Sequence, residues 1–123
     1  MGTVLWIVQG LVALAFIMAG SLKVIRPKEQ LARMMTWVED FSATQVKLIG
    51  TAEVLGGLGA ILPGLTHIGQ FLTPLAGAGL SILMIGAVYT HVRLKETSKM
   101  GAPIVLLVLA LVMMVGRLLL PLP

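Results

Sequence analysis

Four long apolar blocks, separated by shorter polar stretches, make up most of the chain. Each block is about as long as an α-helix must be to cross the hydrocarbon core of a bilayer. The pattern predicts four membrane-spanning helices, at about residues 3–24, 46–62, 74–91 and 102–120. The first block is too long for the core of a signal peptide, and no cleavage signal follows it, so we expect it to remain as the first span.

Local signals indicate where several of these helices begin and end. Pro63-Gly64 predicts the end of the second span. Thr73 before Pro74 predicts a capping residue and a first helical position for the third span, and a kinked helix that begins earlier is an alternative. Ser42 and Gln45 are spaced as a capping box for the second span.

The connection between the first two spans contains a fifth predicted helix, at about residues 28–41. Its apolar residues recur at helical spacing, and charged residues occupy the remaining positions. These apolar residues are Leu31, Met34, Met35, Val38 and Phe41. The pattern is typical of a helix that lies in the membrane interface, here with Trp37 at headgroup depth. Anchoring alone explains it, and a lid or a docking face is the alternative.

The predicted fold is therefore an all-α integral membrane protein with a single domain over residues 1–123. It is a four-transmembrane-helix bundle with a short amphipathic interfacial helix between spans one and two. Composition agrees, because 58% of the residues are hydrophobic, 11% are charged and the mean hydropathy is +1.02. A water-soluble domain of 123 residues needs a more polar surface.

Cysteine and histidine usage excludes several kinds of chemistry. The chain has no cysteine, which excludes thiol–disulfide exchange and cysteine metal sites. Its two histidines, His67 and His91, fall in different blocks. We therefore predict no metal centre within the chain.

The basic residues predict the orientation of the bundle. Eight of the nine lie in or beside the first and third connections, and Arg117 alone lies on the other side. By the positive-inside rule these two connections are cytoplasmic and both termini lie outside the cytoplasm. This distribution accounts for the net charge of +4, so nucleic acid is not expected as a partner.

Small residues are concentrated inside the spans, where they let helix backbones approach closely. Gly50 and Gly57 share one stripe of the second span with Glu53, and Gly56 widens it. The third span contributes Gly77 and Gly79. These five glycines are the predicted helix-packing positions. Too few polar residues lie within the spans to line a continuous channel.

Glu53 is the one acidic residue placed deep inside a span, roughly 9 Å from the level of Lys47. An ionised carboxylate there is costly without a partner. Because helical side chains tilt toward the N-terminus, those of Lys23 and His91 lean toward the depth of Glu53. We predict a polar cluster of Glu53, Lys23 and His91, with Tyr89 and Thr90 as hydroxyl partners.

Each member of this cluster also has a structural interpretation. Lys23 can be a lysine that extends to the interface, and His91 can be interfacial in the same way. Glu53 can form an ion pair or hydrogen bond that fastens two helices. The sequence alone leaves both interpretations open.

Three segments resemble the DoxX-like family: FIMAGSLKVIRP at residues 16–27, GTAEVLGGLGAILPG at 50–64 and IGAVYTHVRLKE at 85–96. Their order and spacing match across nearly the whole chain. The positions that match the family pattern are Gly20, Lys23, Glu53, Gly56, Gly57, Pro63 and His91. The resemblance implies a small bacterial inner-membrane protein with four helices, and it implies a link to quinone-dependent complexes through the subunit that gave the family its name.

Three functions are compatible with these observations. The first is a non-catalytic accessory or scaffold subunit of a larger membrane complex, with another membrane protein or a second copy of the chain as partner. The second is a binding protein or proton-coupled transporter for a hydrophobic small molecule, a quinone or a lipid, which uses Glu53. The third and least favoured is an enzyme with Glu53 and His91 as acid and base.

Overall fold

A computed structural model describes residues 2–34, 41–95 and 101–121, and for residues 32–34 it describes the backbone. The described chain forms five helices: α1 Gly2–Ile25, α2 Lys28–Met34, α3 Ala43–Thr66, α4 Leu72–Arg93 and α5 Gly101–Leu119. All of these except α2 are long and apolar enough to cross a membrane. The predicted fold class, an all-α membrane protein with four spanning helices, is confirmed.

The short helix between the first two spans is present as α2. Its Leu31 is fully buried, so this residue attaches α2 to the bundle. The predicted continuation of α2 through residues 35–40, with Trp37, lies outside the described residues. The predicted capping box of α3 is present, with the Ser42 hydroxyl accepting from the Gln45 backbone N–H and the Gln45 side chain accepting from Ser42 N–H.

The four long helices are arranged as a ring in which α1 contacts α3, α3 contacts α4, α4 contacts α5 and α5 contacts α1. The chain ends and the link between α3 and α4 lie at one end, which we call the terminal end. The other end, which holds α2 and the α4–α5 connection, is the α2 end. The centre is filled by apolar side chains from all four helices, among them Val12, Phe16, Ala60, Leu80, Ala110 and Met113.

Glycine makes the contact between α1 and α3 unusually close. A Cβ atom on Gly20 would lie 2.5 Å from the carbonyl oxygen of Gly50, and a Cβ on Gly50 would lie 2.7 Å from the carbonyl oxygen of Gly20. Further along, a Cβ on Gly57 would lie 2.7 Å from Cγ1 of Ile17. In lipid, where apolar surface gains little by meeting other apolar surface, this backbone proximity supplies the packing energy.

The glycines of α3 and α4 divide into two groups. A Cβ on Gly56 would clash with Leu80, and one on Gly77 would lie 2.9 Å from Cβ of Met114, so both glycines serve helix packing. The prediction that Gly79 also packs against a helix is wrong. A Cβ there would meet nothing within 4 Å, because Gly79 lies on an outward face of α4.

Helix α3 does not end at Pro63, where the sequence predicts its end, but continues to Thr66. Proline has no N–H, so the carbonyl of Gly59 loses its helical donor. The hydroxyl of Thr73 in α4 donates to this carbonyl oxygen at 3.0 Å. Thr73 therefore does not act as the predicted cap of α4, which begins at Leu72 without a side-chain cap. Its hydroxyl stabilises the proline-containing turn of the neighbouring helix instead.

Candidate functional site

Lys23 of α1 and Glu53 of α3 form an ion pair inside the α2 half of the bundle. Nζ of Lys23 lies 2.7 Å from Oε1 of Glu53, and the two side chains are only 9% and 3% exposed. Gly50, one turn from Glu53, makes room for the lysine, because a Cβ on Gly50 would lie 2.7 Å from Cβ of Lys23. The close contact of α1 with α3 at Gly20 and Gly50, which we call the α1–α3 seam, and the ion pair are therefore one local arrangement.

At this depth each of the two charged side chains needs the other as its partner. An uncompensated charge within the bilayer costs at least about 2.5 kcal/mol. Removing one member of a buried pair costs about 3–5 kcal/mol in proteins, since the other charge remains. A lysine ammonium carries three N–H donors and a carboxylate several acceptor positions, more than a single mutual contact uses. The pair therefore fastens α1 to α3 and places several polar atoms in one spot within the bundle.

The ion pair lies in the wall of a cavity of about 600 Å³. This volume is within the usual range for sites that bind small molecules. Most of the remaining wall is apolar and comes from α3, α4 and α5, with Ala19 from α1 and Phe41 from the segment before α3. The apolar lining residues are Ala19, Phe41, Ile49, Ile82, Leu83, Met84, Ala87, Ala102, Pro103 and Leu106.

The other predicted members of the cluster also line this cavity, at different places. Tyr89 is 66% exposed and lies at the rim. Thr90 donates its hydroxyl to the carbonyl of Gly86 in its own helix, so it is not a hydroxyl partner of the ion pair in this arrangement. His91 and Arg93 line the part of the cavity formed by the last turn of α4.

The packing register separates His91 from the ion pair in depth. Gly59 lies opposite Ala76 and Gly56 opposite Leu80, so Glu53 is level with about residue 83 of α4. His91 is eight residues further along, or roughly 12 Å at 1.5 Å per residue. The structure therefore distributes the predicted polar cluster along the cavity, with the ion pair deep and the imidazole toward the α2 end. Among the described residues no three His, Asp or Glu side chains are placed to hold a metal ion.

A second polar cluster lies in the terminal half of the bundle. Gln9 of α1 is fully buried, and its Nε2 donates to the carbonyl oxygen of Ala60 in α3 at 2.7 Å. Arg117 of α5 donates from Nε to Oε1 of Gln9 at 2.6 Å and from Nη1 to the carbonyl oxygen of Leu120 at 3.2 Å. Its guanidinium lies 5.7 Å from the centre of the Trp6 ring. These contacts join α1, α3 and α5.

Sequence reasoning did not find this cluster. From its position near the end of the last span, Arg117 is expected to anchor that span at the membrane interface. In the structure only 5% of it is exposed. The feature of the sequence that could have revealed the cluster is Gln9, an amide side chain in an otherwise apolar segment. A polar side chain within a span usually meets a partner. Nη2 of Arg117 is buried and has no hydrogen-bond partner in the described part of the chain.

An apolar layer separates the two polar clusters. Along α1, Gln9 and Lys23 are fourteen residues apart, or roughly 21 Å of helix. Between them the inward side chains include Val12 and Phe16, both fully buried, and Met113 of α5 is buried at the same core. The layer is mostly apolar, and the buried hydroxyl of Ser81 in α4, which lies within it, donates to the Gly77 carbonyl oxygen of its own helix at 2.6 Å.

The fold and the cavity together define a small integral membrane protein of four spanning helices with one charged pair inside its α2 half. The sequence model of the DoxX-like family matches residues 7–113, which is most of the chain. The protein belongs to the DoxX-like family. Neither a curated protein nor a solved structure matches it.

Proposed function

We propose that this protein binds a membrane-soluble small molecule, with the polar head of the molecule at Lys23 and Glu53 and its apolar body in the cavity. The observation that carries the proposal is the placement of this ion pair in the wall of an otherwise largely apolar cavity of about 600 Å³. A pair that served helix packing alone would need no cavity beside it.

The chemistry of the cavity narrows the class of ligand. Its wall is apolar over most of its surface, which favours a ring or an acyl or isoprenoid chain. Both charges of the pair are shielded from solvent, and the pair is neutral overall and places an ammonium beside a carboxylate. A quinone could accept a hydrogen bond from the ammonium. A quinol, or a lipid with a small polar head, could also donate one to the carboxylate.

Binding is better supported than transport across the membrane. A transported molecule or proton must pass from the α2 half to the terminal half. Between the two polar clusters the described core is mostly apolar, with Val12, Phe16 and Met113 among its members. The buried Ser81 hydroxyl in this layer is bonded within its own helix, so it provides no continuous polar path. Catalysis by Glu53 with His91 as acid and base has less support, because the register holds these residues at different depths.

The test is to purify the protein from native membranes in a mild detergent and to identify bound small molecules by mass spectrometry. We expect one class of quinone or lipid to be retained in stoichiometric amount by the wild type. The double variant Lys23→Met/Glu53→Gln should lose it. Removing both charges together avoids leaving one uncompensated charge, so this variant should still fold.

The matched control is Thr51→Val, which changes a polar residue of the same helix on a lipid-facing surface outside the cavity. It should retain the ligand as the wild type does. The proposal fails if the wild type carries no such molecule, or if the double variant retains it equally well.

An accessory-subunit function is the second candidate, and one observation favours it. Gly79 is exposed on α4 with open space around it, between the exposed side chains of Leu75 and Ile82. A small residue on a lipid-facing surface allows the helix of another protein to approach closely. Stoichiometric co-purification of a membrane protein, lost in Gly79→Leu, would support this function; partner-free wild-type protein would contradict it.

A further inference from the structure

We propose that the ligand reaches the cavity sideways from the bilayer, through a gap between α3 and α4 that is kept open by Gly86. This inference rests on the proposed function, since it assumes that the cavity receives a membrane-soluble molecule. It concerns the leaflet at the α2 end, where the contact between α3 and α4 gives way to the cavity.

The close contacts of α3 with α4 at glycines lie toward the terminal half of the bundle. There Gly59 meets Ala76, with a Cβ on the glycine 3.0 Å from Cβ of the alanine, and the Thr73 hydroxyl binds the carbonyl of Gly59. The contact of Gly56 with Leu80 is one turn closer to the α2 end. Beyond that point the next residues of the α3 surface are Glu53 and Ile49, and both line the cavity.

The same stripe of α4 changes from packed to open along its length. Leu72 and Ala76 face Gly59 of α3. Toward the α2 end this side of α4 continues at helical spacing through Leu83 and Ala87, which line the cavity, with Gly86 at its lipid-facing edge. Gly79 and Gly86 are exposed and would have nothing within 4 Å of an added Cβ. In the described part of the chain, Gly86 therefore borders an open stretch of the groove between α3 and α4.

Exposed residues mark the rim of the cavity on this side. Ile82, Gly86 and Tyr89 line the cavity and are exposed at the same time, as the residues of an opening must be. Ile82 lies deeper in the bilayer than Tyr89, whose amphipathic ring suits the interface. The opening therefore extends from hydrocarbon to headgroup depth, which lets an amphipathic molecule move in with its polar head near the interface.

Gly86 is the residue whose side chain would close this gap. Gly86 lines the cavity and is exposed, so a side chain there would lie at the mouth of the cavity, and no described atom within 4 Å would obstruct it. Leucine at this position would occupy the gap without displacing packed atoms. Leucine at Gly79, one heptad earlier and outside the cavity lining, provides the matched control.

The experiment uses the purified protein in phospholipid vesicles and a fatty acid that carries a photoactivatable diazirine in the middle of its chain. The probe is added, samples are irradiated after increasing times, and labelled residues are identified by mass spectrometry. Glu53 and Met84 are buried reporters inside the cavity, and exposed Ile85 reports contact with bulk lipid. We expect labelling of both buried reporters to rise quickly in the wild type and in Gly79→Leu, and slowly in Gly86→Leu.

Three results would overturn this route. The first is labelling of Glu53 in Gly86→Leu at the wild-type rate, which would place the passage elsewhere. The second is equal slowing by Gly79→Leu, which would show a general effect of leucine on α4. The third is labelling of Ile85 without any labelling of Glu53 in the wild type. Retention of a co-purified ligand is measured separately, so the route can fail while the binding function stands.

Discussion

At the scale of single residues, the structure depends on polar groups that find partners on other helices. Lys23 meets Glu53, Gln9 meets both Ala60 and Arg117, and the Thr73 hydroxyl compensates for the N–H that Pro63 lacks. With no water in the hydrocarbon region, each of these groups must be satisfied within the protein. The most informative residues are therefore those whose partner lies far away in the sequence.

The partnership of Thr73 with the proline turn can be measured by a double-mutant cycle. Thr73→Val leaves the Gly59 carbonyl without its side-chain donor and should lower the free energy of unfolding by about 1 kcal/mol. Pro63→Ala restores the backbone donor for that carbonyl, so Thr73→Val should cost less in this background. Thermal unfolding in detergent provides the comparison. Equal costs in the two backgrounds would show that Thr73 acts elsewhere.

Sequence reasoning succeeded for a residue when its depth and direction determined its partner. Lys23 and Glu53 were paired in this way, because both lean toward the same depth from neighbouring spans. It failed where the answer depended on which helices are neighbours. A single sequence does not show that Thr73 lies beside Gly59, that Gln9 draws Arg117 inward, or that the Gly79 side of α4 faces outward.

At the scale of helices, the α1–α3 seam is the most tightly packed contact in the bundle. Gly20 and Gly50 approach each other reciprocally, and this approach brings Lys23 within reach of Glu53. The seam therefore positions the candidate site as well as holding two helices together. By contrast, the close glycine contacts between α3 and α4, at Gly56 and Gly59, lie toward the terminal half of the bundle.

Adding one methyl group to the seam should show this dependence. Gly20→Ala would place Cβ against the carbonyl oxygen of Gly50 and should destabilise the protein by about 1–3 kcal/mol through overpacking. Gly10→Ala on the same helix is the control, because a Cβ there meets nothing within 4 Å. The unfolding midpoint in detergent should fall for the first variant and stay the same or rise slightly for the second. Equal midpoints would mean that the seam is not a tight contact.

At the scale of the whole molecule, the two ends of the four-helix ring contain different polar groups. The α2 end has the basic connections, the cavity and the ion pair, and the terminal end has the buried Gln9–Arg117 contact. The excess of basic residues predicts that the α2 end is cytoplasmic. A ligand taken from the adjacent leaflet would then come from the cytoplasmic side of the membrane.

The cysteine-free sequence allows this orientation to be tested directly. Thr3→Cys places a thiol near the terminal end and Lys95→Cys places one at the α2 end, both at exposed positions. In intact bacterial cells whose outer membrane has been made permeable, a maleimide that cannot cross the inner membrane should label Thr3→Cys. Lys95→Cys should be labelled only after the cells are lysed. The reverse pattern would invert the proposed topology.

The apolar layer around Phe16 has a further consequence for the energetics of the cell. A membrane protein with buried charges in both halves risks conducting protons and discharging the electrical potential that the cell maintains across its membrane. Here a mostly apolar layer, with Val12, Phe16 and Met113 among its members, lies between the two charged regions, and its one described buried hydroxyl, Ser81, is bonded within its own helix. If the cavity exchanges a ligand with one leaflet, as we propose, we expect this layer to keep the protein from conducting protons across the membrane.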